Sequence, residues 1–368
     1  MAVSVTKPGS GSSKSSPSSP LLNDHERHVG QRRERMRASP QAKDGRFRNL
    51  DNVEPDLKGL APPIAAEFLF RGARRAPSAP LPAHEPRPIW EHAPETGLRV
   101  TWLGHSTLLL EVDGVRILTD PVFGERASPV SFMGPKRFHP VPVPIAGLPP
   151  IDVMLLSHNH YDHLCRSSVV ELAKRPLQVV TALGVGMHLE AYGMPRERIH
   201  ELDWHESIEL PSVRFTATPA QHFSGRGMGD RNATLWASWV IETAHHKLFF
   251  SGDTGLFSGL SEIGQRHGPF DLTLLEIGAY HPAWGTIHLG PENALTAHQM
   301  LQGKVLLPVH WGTFDLALHT WEEPAETLFH LASERGAKLF LPQLGQPLEP
   351  KRMPEPTPWW REVLRAKP

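Results

Sequence analysis

The chain has 368 residues, 39% of them hydrophobic, which is enough for a sizeable core, and its net charge of −1 argues against a dedicated nucleic-acid binder. One cysteine, Cys165, excludes an intramolecular disulfide framework and fits a reducing compartment. The 22 His stand beside only 3 Tyr and that single Cys, so a metal site here would have to use imidazole and carboxylate.

Residues 1–50 read as a disordered tail. Ser, Pro, Gly and Lys dominate the first twenty, a composition that cannot offset the entropy of ordering. Over 25–49, eight Arg and Lys face three Asp and Glu, which suits a solvated tail or one that meets an anionic surface such as phospholipid. The N-terminus lacks the apolar core of a secretory signal, and no segment approaches the ~18 consecutive apolar residues of a membrane span. A cytoplasmic chain is expected, with any membrane contact peripheral. Residues 51–95 are Pro-rich but carry an apolar run at 64–70, expected to be an arm packed on the main domain. Phe68, Leu69 and Phe70 in that run, with Phe132 and Met133 further on, are candidates to line an apolar channel.

The ordered domain is placed at 96–350, with a C-terminal tail at 351–368. Alternating apolar residues over 98–119, broken at Asp113-Gly114, predict a two-stranded hairpin. Residues 153–157 form a continuous apolar run, as expected of a strand buried on both faces. A helix is predicted at 167–174, and strands at 177–181, 213–218, 234–242, 247–251, 272–277, 304–309 and 338–341. Helices follow at 256–266, 291–301 and 324–334, the last two opening on Pro in the first turn. Strands predominate and helices interleave, so an α/β layered fold is expected, its sheets sandwiched by helices.

The chemistry lies in the run His158-Asn159-His160-Tyr161-Asp162-His163, directly after the apolar strand. In extended backbone His158 and His160 project to one side, while Asp162 and His163 follow the turn and can face a second metal. Imidazole and carboxylate suit Zn²⁺ at ~2.0–2.2 Å, and four such side chains in six residues make a chance cluster a poor explanation. His222, Asp253 and His310 each stand at the C-terminal end of an apolar run and would converge at one edge of the sheets, where loops carry function. Any one of these three alone reads as readily as a hydrogen-bonded His or a turn Asp. Joined to the first cluster, they complete a two-metal set, for which iron or manganese are alternatives to zinc.

The blocks Thr101-Trp102-Leu103-Gly104-His105-Ser106, Leu118-Thr119-Asp120-Pro121, Ser251-Gly252-Asp253-Thr254-Gly255 and His310-Trp311-Gly312-Thr313-Phe314, with the histidine run, resemble the metallo-β-lactamase superfamily. Met133-Gly134-Pro135-Lys136-Arg137, Pro219-Ala220-Gln221-His222 and Ile277-Gly278-Ala279-Tyr280 narrow the resemblance to its N-acyl-phosphatidylethanolamine-hydrolysing phospholipase D branch. That resemblance implies a four-layer αβ/βα sandwich with two zinc ions at one edge. His158, His160 and His222 would hold the first ion, Asp162, His163 and His310 the second, and Asp253 would bridge both. Asp120 would orient a ligand from behind.

By the same resemblance, a water shared by the zincs, lowered in pKa towards ~7, would attack phosphorus. His288, or in its place His281, would protonate the leaving oxygen. The implied substrate is N-acyl-phosphatidylethanolamine; another phosphodiester or a lactone is the alternative, and a metal- or lipid-binding protein without activity is the weakest reading. One block departs from the family pattern. Where that pattern opens with Glu and runs longer, this chain has His281-Pro282-Ala283-Trp284-Gly285-Thr286-Ile287-His288. Tyr280 and Trp284 there are further channel candidates. No nucleic-acid partner is expected, and a homodimer is open to the chain.

Overall fold

Apolar runs too continuous for half-exposed strands fold into two mixed β-sheets. The computed structural model describes residues 20–51, 75–227 and 229–366. The first sheet contains β1 (Leu98–Gly104), β2 (Thr107–Val112), β3 (Val115–Thr119), β4 (Val153–Leu156), β5 (Gln178–Ala182) and β6 (Ile199–Leu202) in that spatial order, with the short strand Pro347–Leu348 outside β1. The second contains β7 (Ser207–Leu210), β8 (Val213–Thr218), β9 (Ser238–Glu242), β10 (Lys247–Phe250), β11 (Leu272–Glu276) and β12 (Leu306–Val309), again in spatial order.

Each sheet begins antiparallel and turns parallel: β1 to β3 alternate, then β3 to β6 run together. Likewise β7 to β10 alternate, then β10 to β12 run together. Parallel neighbours need a crossover, usually a helix. After the N-terminal α1 (Pro20–Ala38), α2 (Arg166–Leu172) and α3 (Gly186–Ala191) serve the first sheet. The second has α4 (Gly259–His267) and α5 (Gly290–Met300), and α6 (Glu323–Arg335) packs on α5. The expected α/β sandwich is therefore the fold. Every residue of β1, β4 and β11 is buried, so truncating one large side chain, as in Leu155→Ala, costs ~2–5 kcal/mol.

This topology positions the site. The C-terminal ends of β1, β3 and β4 share one edge of the first sheet. Those of β8, β10, β11 and β12 share one edge of the second. Loops leaving the two edges meet, and the backbone there is strained: His105 (φ 54), Asp120 (φ 31), Ala279 (φ 55) and His310 (φ 63) all occupy the left-handed region that non-glycine residues avoid.

Three sequence expectations need correction. Residues 20–50 are ordered rather than a disordered tail. On α1, Arg32 is 6% exposed and pairs with Glu190 and with Glu201 (2.5 Å), while Arg35 reaches Glu206 (2.6 Å). Asp44 (φ 54) and Gly45 (φ 72) make the tight turn between strands Ala42–Lys43 and Arg46–Phe47, which seats Phe47 in the core. Composition could not show this, because the partners lie far away in sequence. The stretch 98–119 holds three strands, not two; its missed break is at His105-Ser106. The C-terminal stretch also docks, through helix α7 (Trp360–Arg365), with Trp359 and Trp360 against the Trp102–Trp311 stack. The channel candidates Phe68, Leu69 and Phe70 and most of the proposed arm lie outside the described residues. No described helix is long and apolar enough to cross a membrane.

Candidate metal centre

The seven predicted ligands come together. His158 Nε2 lies 2.8 Å from His160 Nδ1, and His222 Nε2 lies 3.2 Å from the same atom. Asp253 Oδ2 stands 3.8 Å from His158 Nε2 and 3.7 Å from His222 Nε2. Beside this set, His310 Nε2 is 3.2 Å from both Asp162 Oδ2 and Asp253 Oδ2. His163 Nε2 is 3.4 Å from Asp162 Oδ2 and 3.2 Å from Asp253 Oδ1. Ligands on a tetrahedral zinc at ~2.0–2.1 Å lie about 3.3 Å apart, so both sets have the spacing of a coordination shell. Asp253 belongs to each.

A second observation supports the fit. His163 Nε2 and Asp253 Oδ1 are fully buried and 3.2 Å apart, yet neither has a hydrogen-bond partner. Buried polar atoms without partners are costly, and a cation between them would satisfy both.

The groups behind the ligands fix their tautomers. Asp120, at the end of β3, accepts from His163 Nδ1 (2.7 Å), Ser157 Oγ (2.6 Å) and Ser157 N (2.8 Å). Ser157 Oγ in turn accepts from His158 Nδ1 (2.9 Å). One carboxylate thus turns the Nε2 atoms of two histidines towards the centre. His222 Nδ1 donates to Ile287 O (3.1 Å) with the same result.

Burial holds the His158 and His222 pKa values well below the ordinary range and that of His160 down to about 4, so these imidazoles are neutral, the form that binds metal. His310 goes the other way. Burial opposes it, but the carboxylates of Asp253 and Asp162 raise it to about 10. Positive charge is favoured between those two carboxylates, where a divalent ion would sit.

His288 borders the centre, its ring 5.1 Å from that of His222 and 5.5 Å from that of His310. Its Nδ1 donates to Glu276 Oε2 (2.8 Å), and Glu276 Oε1 accepts from the Thr254 and Leu289 amides (2.9 and 3.2 Å). Burial lowers the His288 pKa, yet the Glu276 carboxylate raises it above the usual histidine value overall. His281 instead packs edge-on against Trp284 (5.0 Å) on the outer turn. Among the other channel candidates, Tyr280 stacks on His319 and donates to Glu323 (2.8 Å), while Phe132 and Met133 are 79% and 65% exposed.

Sequence reasoning missed His105, Glu276 and Asn49. His105 Nε2 lies 3.0 Å from Asp162 Oδ2, in a donor cluster with His163 and His310. The signal existed, because His105 and Glu276 also stand at strand ends, but the first was hidden by reading 98–119 as one hairpin. A cavity of about 710 Å³ lies where β1 and β12 begin, away from the histidine cluster, and has no histidine in its wall. A cavity of about 400 Å³ beside Tyr161 is lined by Arg126, Arg166 and Arg226.

Residues 115–311 match the family described as Beta-lactamase superfamily domain. An uncharacterized protein of Mycobacterium tuberculosis is 44% identical over 330 residues, 88% of each chain. The N-acyl-phosphatidylethanolamine-hydrolyzing phospholipase D 1 of Caenorhabditis elegans is 33% identical over 334 residues, 86% of this chain and 92% of its own. Among solved structures, an isothiocyanate hydrolase from Delia radicum gut bacteria superposes with a TM-score of 0.55 over 68% of this chain and 98% of its own, at 20% identity, a likeness of fold.

Proposed function

Because the chain belongs to the β-lactamase superfamily of metal-dependent hydrolases, in the branch of the N-acyl-phosphatidylethanolamine-hydrolysing phospholipases D, we propose that it is a two-metal phosphodiesterase releasing an N-acylethanolamine and phosphatidic acid. The observation that carries this reading is the pair of donor sets that both approach Asp253, His158 and His222 on one side and His163 and His310 on the other, with the His288–Glu276 pair beside them. Zinc ions in those sets, or iron or manganese, would supply a water of lowered pKa and offset the charge that builds on a phosphoryl oxygen.

The protein's own residues do the rest. His158, His160 and His222 form one wall of the centre and Asp162, His163 and His310 the other. Water adds to phosphorus as the bond to the ethanolamine oxygen breaks, and that oxygen takes a proton. His288 is placed to give it: Glu276 occupies Nδ1–H, leaving Nε2 for the substrate. The arginines beside Tyr161 suit an anionic phosphodiester.

A second reading keeps the centre and changes the substrate to a lactone or another phosphodiester. It is favoured by the 281–288 block, where this chain departs from the pattern it otherwise resembles and which meets the centre at the Ile287–His222 bond. Metal analysis of the purified chain, followed by turnover of N-acyl-phosphatidylethanolamine beside lactone and soluble phosphodiester panels, separates the two. Hydrolysis of the lipid supports the first; a lactone cleaved while the lipid is untouched defeats it.

A further inference from the structure

The N-terminal segment reaches the metal centre through one side chain. Asn49 is 7% exposed and faces the backbone of His222 as a second strand would. Its Nδ2 donates to His222 O (2.9 Å), and its Oδ1 accepts from His222 N (3.0 Å). The same Oδ1 accepts from Trp236 Nε1 (3.2 Å), which also donates to Ala220 O (2.9 Å). His222 follows the end of β8, beyond the last ladder pair at Thr218 and Ser238, so among the described residues no neighbouring strand holds its peptide groups.

Residues just before Asn49 are tied down in turn. Phe47 is buried and its amide donates to Asn232 O (2.8 Å), while Arg46 donates to Arg231 O (2.6 Å) and Gly229 O (2.8 Å). Further back, Arg32 anchors α1 to Glu190 and Glu201.

We propose that Asn49 is a positioning residue of the metal centre, which sets the height of the His222 imidazole over the ion held with His158 and His160. The proposal rests on the two-metal reading. The Ile287 contact fixes the tilt of the ring, but where Nε2 falls depends on the main chain that Asn49 holds. Only an amide serves, because it must both donate and accept at adjacent atoms. Loss of it leaves a buried N–H and C=O of a ligand residue without partners. The other ion, among Asp162, His163 and His310, has no such dependence.

The test is a competition titration with a chelator on the full-length protein loaded with zinc, comparing wild type, N49A, N49L and W236F. Asn49→Leu keeps the branching at Cγ and removes both hydrogen bonds to His222. Wild type and W236F should hold two ions. N49A and N49L should keep one at wild-type affinity and bind the other roughly 10- to 100-fold more weakly. Their metal-free melting temperatures should stay near that of W236F. Unchanged affinity for both ions in a folded Asn49 variant would overturn the proposal. So would equal weakening of both with a matching fall in metal-free melting temperature, the mark of a merely structural role. A wild-type protein holding fewer than two ions would instead defeat the two-metal reading, a separate failure.

Discussion

His105 Nε2 lies 3.0 Å from Asp162 Oδ2, and the His105 ring packs 4.0 Å from that of His310. A fully buried histidine therefore touches two members of one donor set at once. Its own backbone is fixed in the left-handed region by Thr313 Oγ1 at its amide (2.7 Å) and by Trp102 Nε1 and the His310 amide at its carbonyl (2.9 and 3.2 Å). Partners of this kind orient the carboxylate they touch.

His105→Ala should weaken the ion of the Asp162, His163 and His310 set roughly 10- to 100-fold and leave the other ion in place. Chelator competition measures this directly. Loss of the His158 and His222 ion instead would show that His105 does not act through Asp162.

Replacing His288 separates metal binding from chemistry. H288Q should retain the metal content of the wild type and lose ~10²–10⁴-fold in kcat, the usual range for a missing general acid. The loss should shrink on a phosphodiester whose leaving group is a nitrophenolate, since that oxygen departs without a proton. An equal loss on both substrates would remove His288 from the acid role, and H281Q serves as the comparison.

Metal removal should destabilise the fold, because the two sets gather carboxylates and imidazoles from both sheets. At a free metal concentration 100 times the Kd, stabilisation of about 2.7 kcal/mol follows from linkage, read as a fall in melting temperature on chelation. D253A should abolish most of this difference, since Asp253 Oδ2 lies 3.7 Å from His222 Nε2 in one set and 3.2 Å from His310 Nε2 in the other.

The docked C-terminus gives a pH signature away from the centre. Glu326 on α6 accepts from Arg361 Nη2 (2.6 Å) and Trp360 Nε1 (2.6 Å), and the Arg361 hydrogen bond holds its pKa down at about 2. A carboxyl depressed in the folded state contributes stability above its unfolded pKa and loses it as pH falls towards the folded one. Glu326→Gln should therefore lower the neutral-pH stability by about 1 kcal/mol or less, given partial exposure. The gap should close between pH 4.5 and about 2 in denaturant titrations. A gap that widens on acidification would contradict the assignment.

Much of the centre was legible because its ligands obey one rule: each follows a strand whose apolar run is visible, and those strands point the same way within each mixed sheet, so their ends gather at the two edges that meet. The strands at 213–218 and 272–276 appear where periodicity places them, and the helix beginning at Pro291 within α5 shows its first-turn proline. What failed was long-range. The order of 20–50 depends on Glu190, Glu201 and His222, none of them local. Residues 234–237 are not strand, because Leu235 and Trp236 are buried in a loop that donates to Leu183 and carries the Asn49 contact. Glu276 fell inside the strand expected at 272–277, and only the fold shows it facing His288.

The most direct test of the central claim is hydrolysis of N-acyl-phosphatidylethanolamine by the metal-loaded protein in isotopically labelled water, with both products weighed by mass spectrometry. Attack at phosphorus predicts phosphatidic acid carrying one labelled oxygen and an N-acylethanolamine carrying none. Label in the N-acylethanolamine, or release of diacylglycerol or free fatty acid instead of phosphatidic acid, would contradict the account.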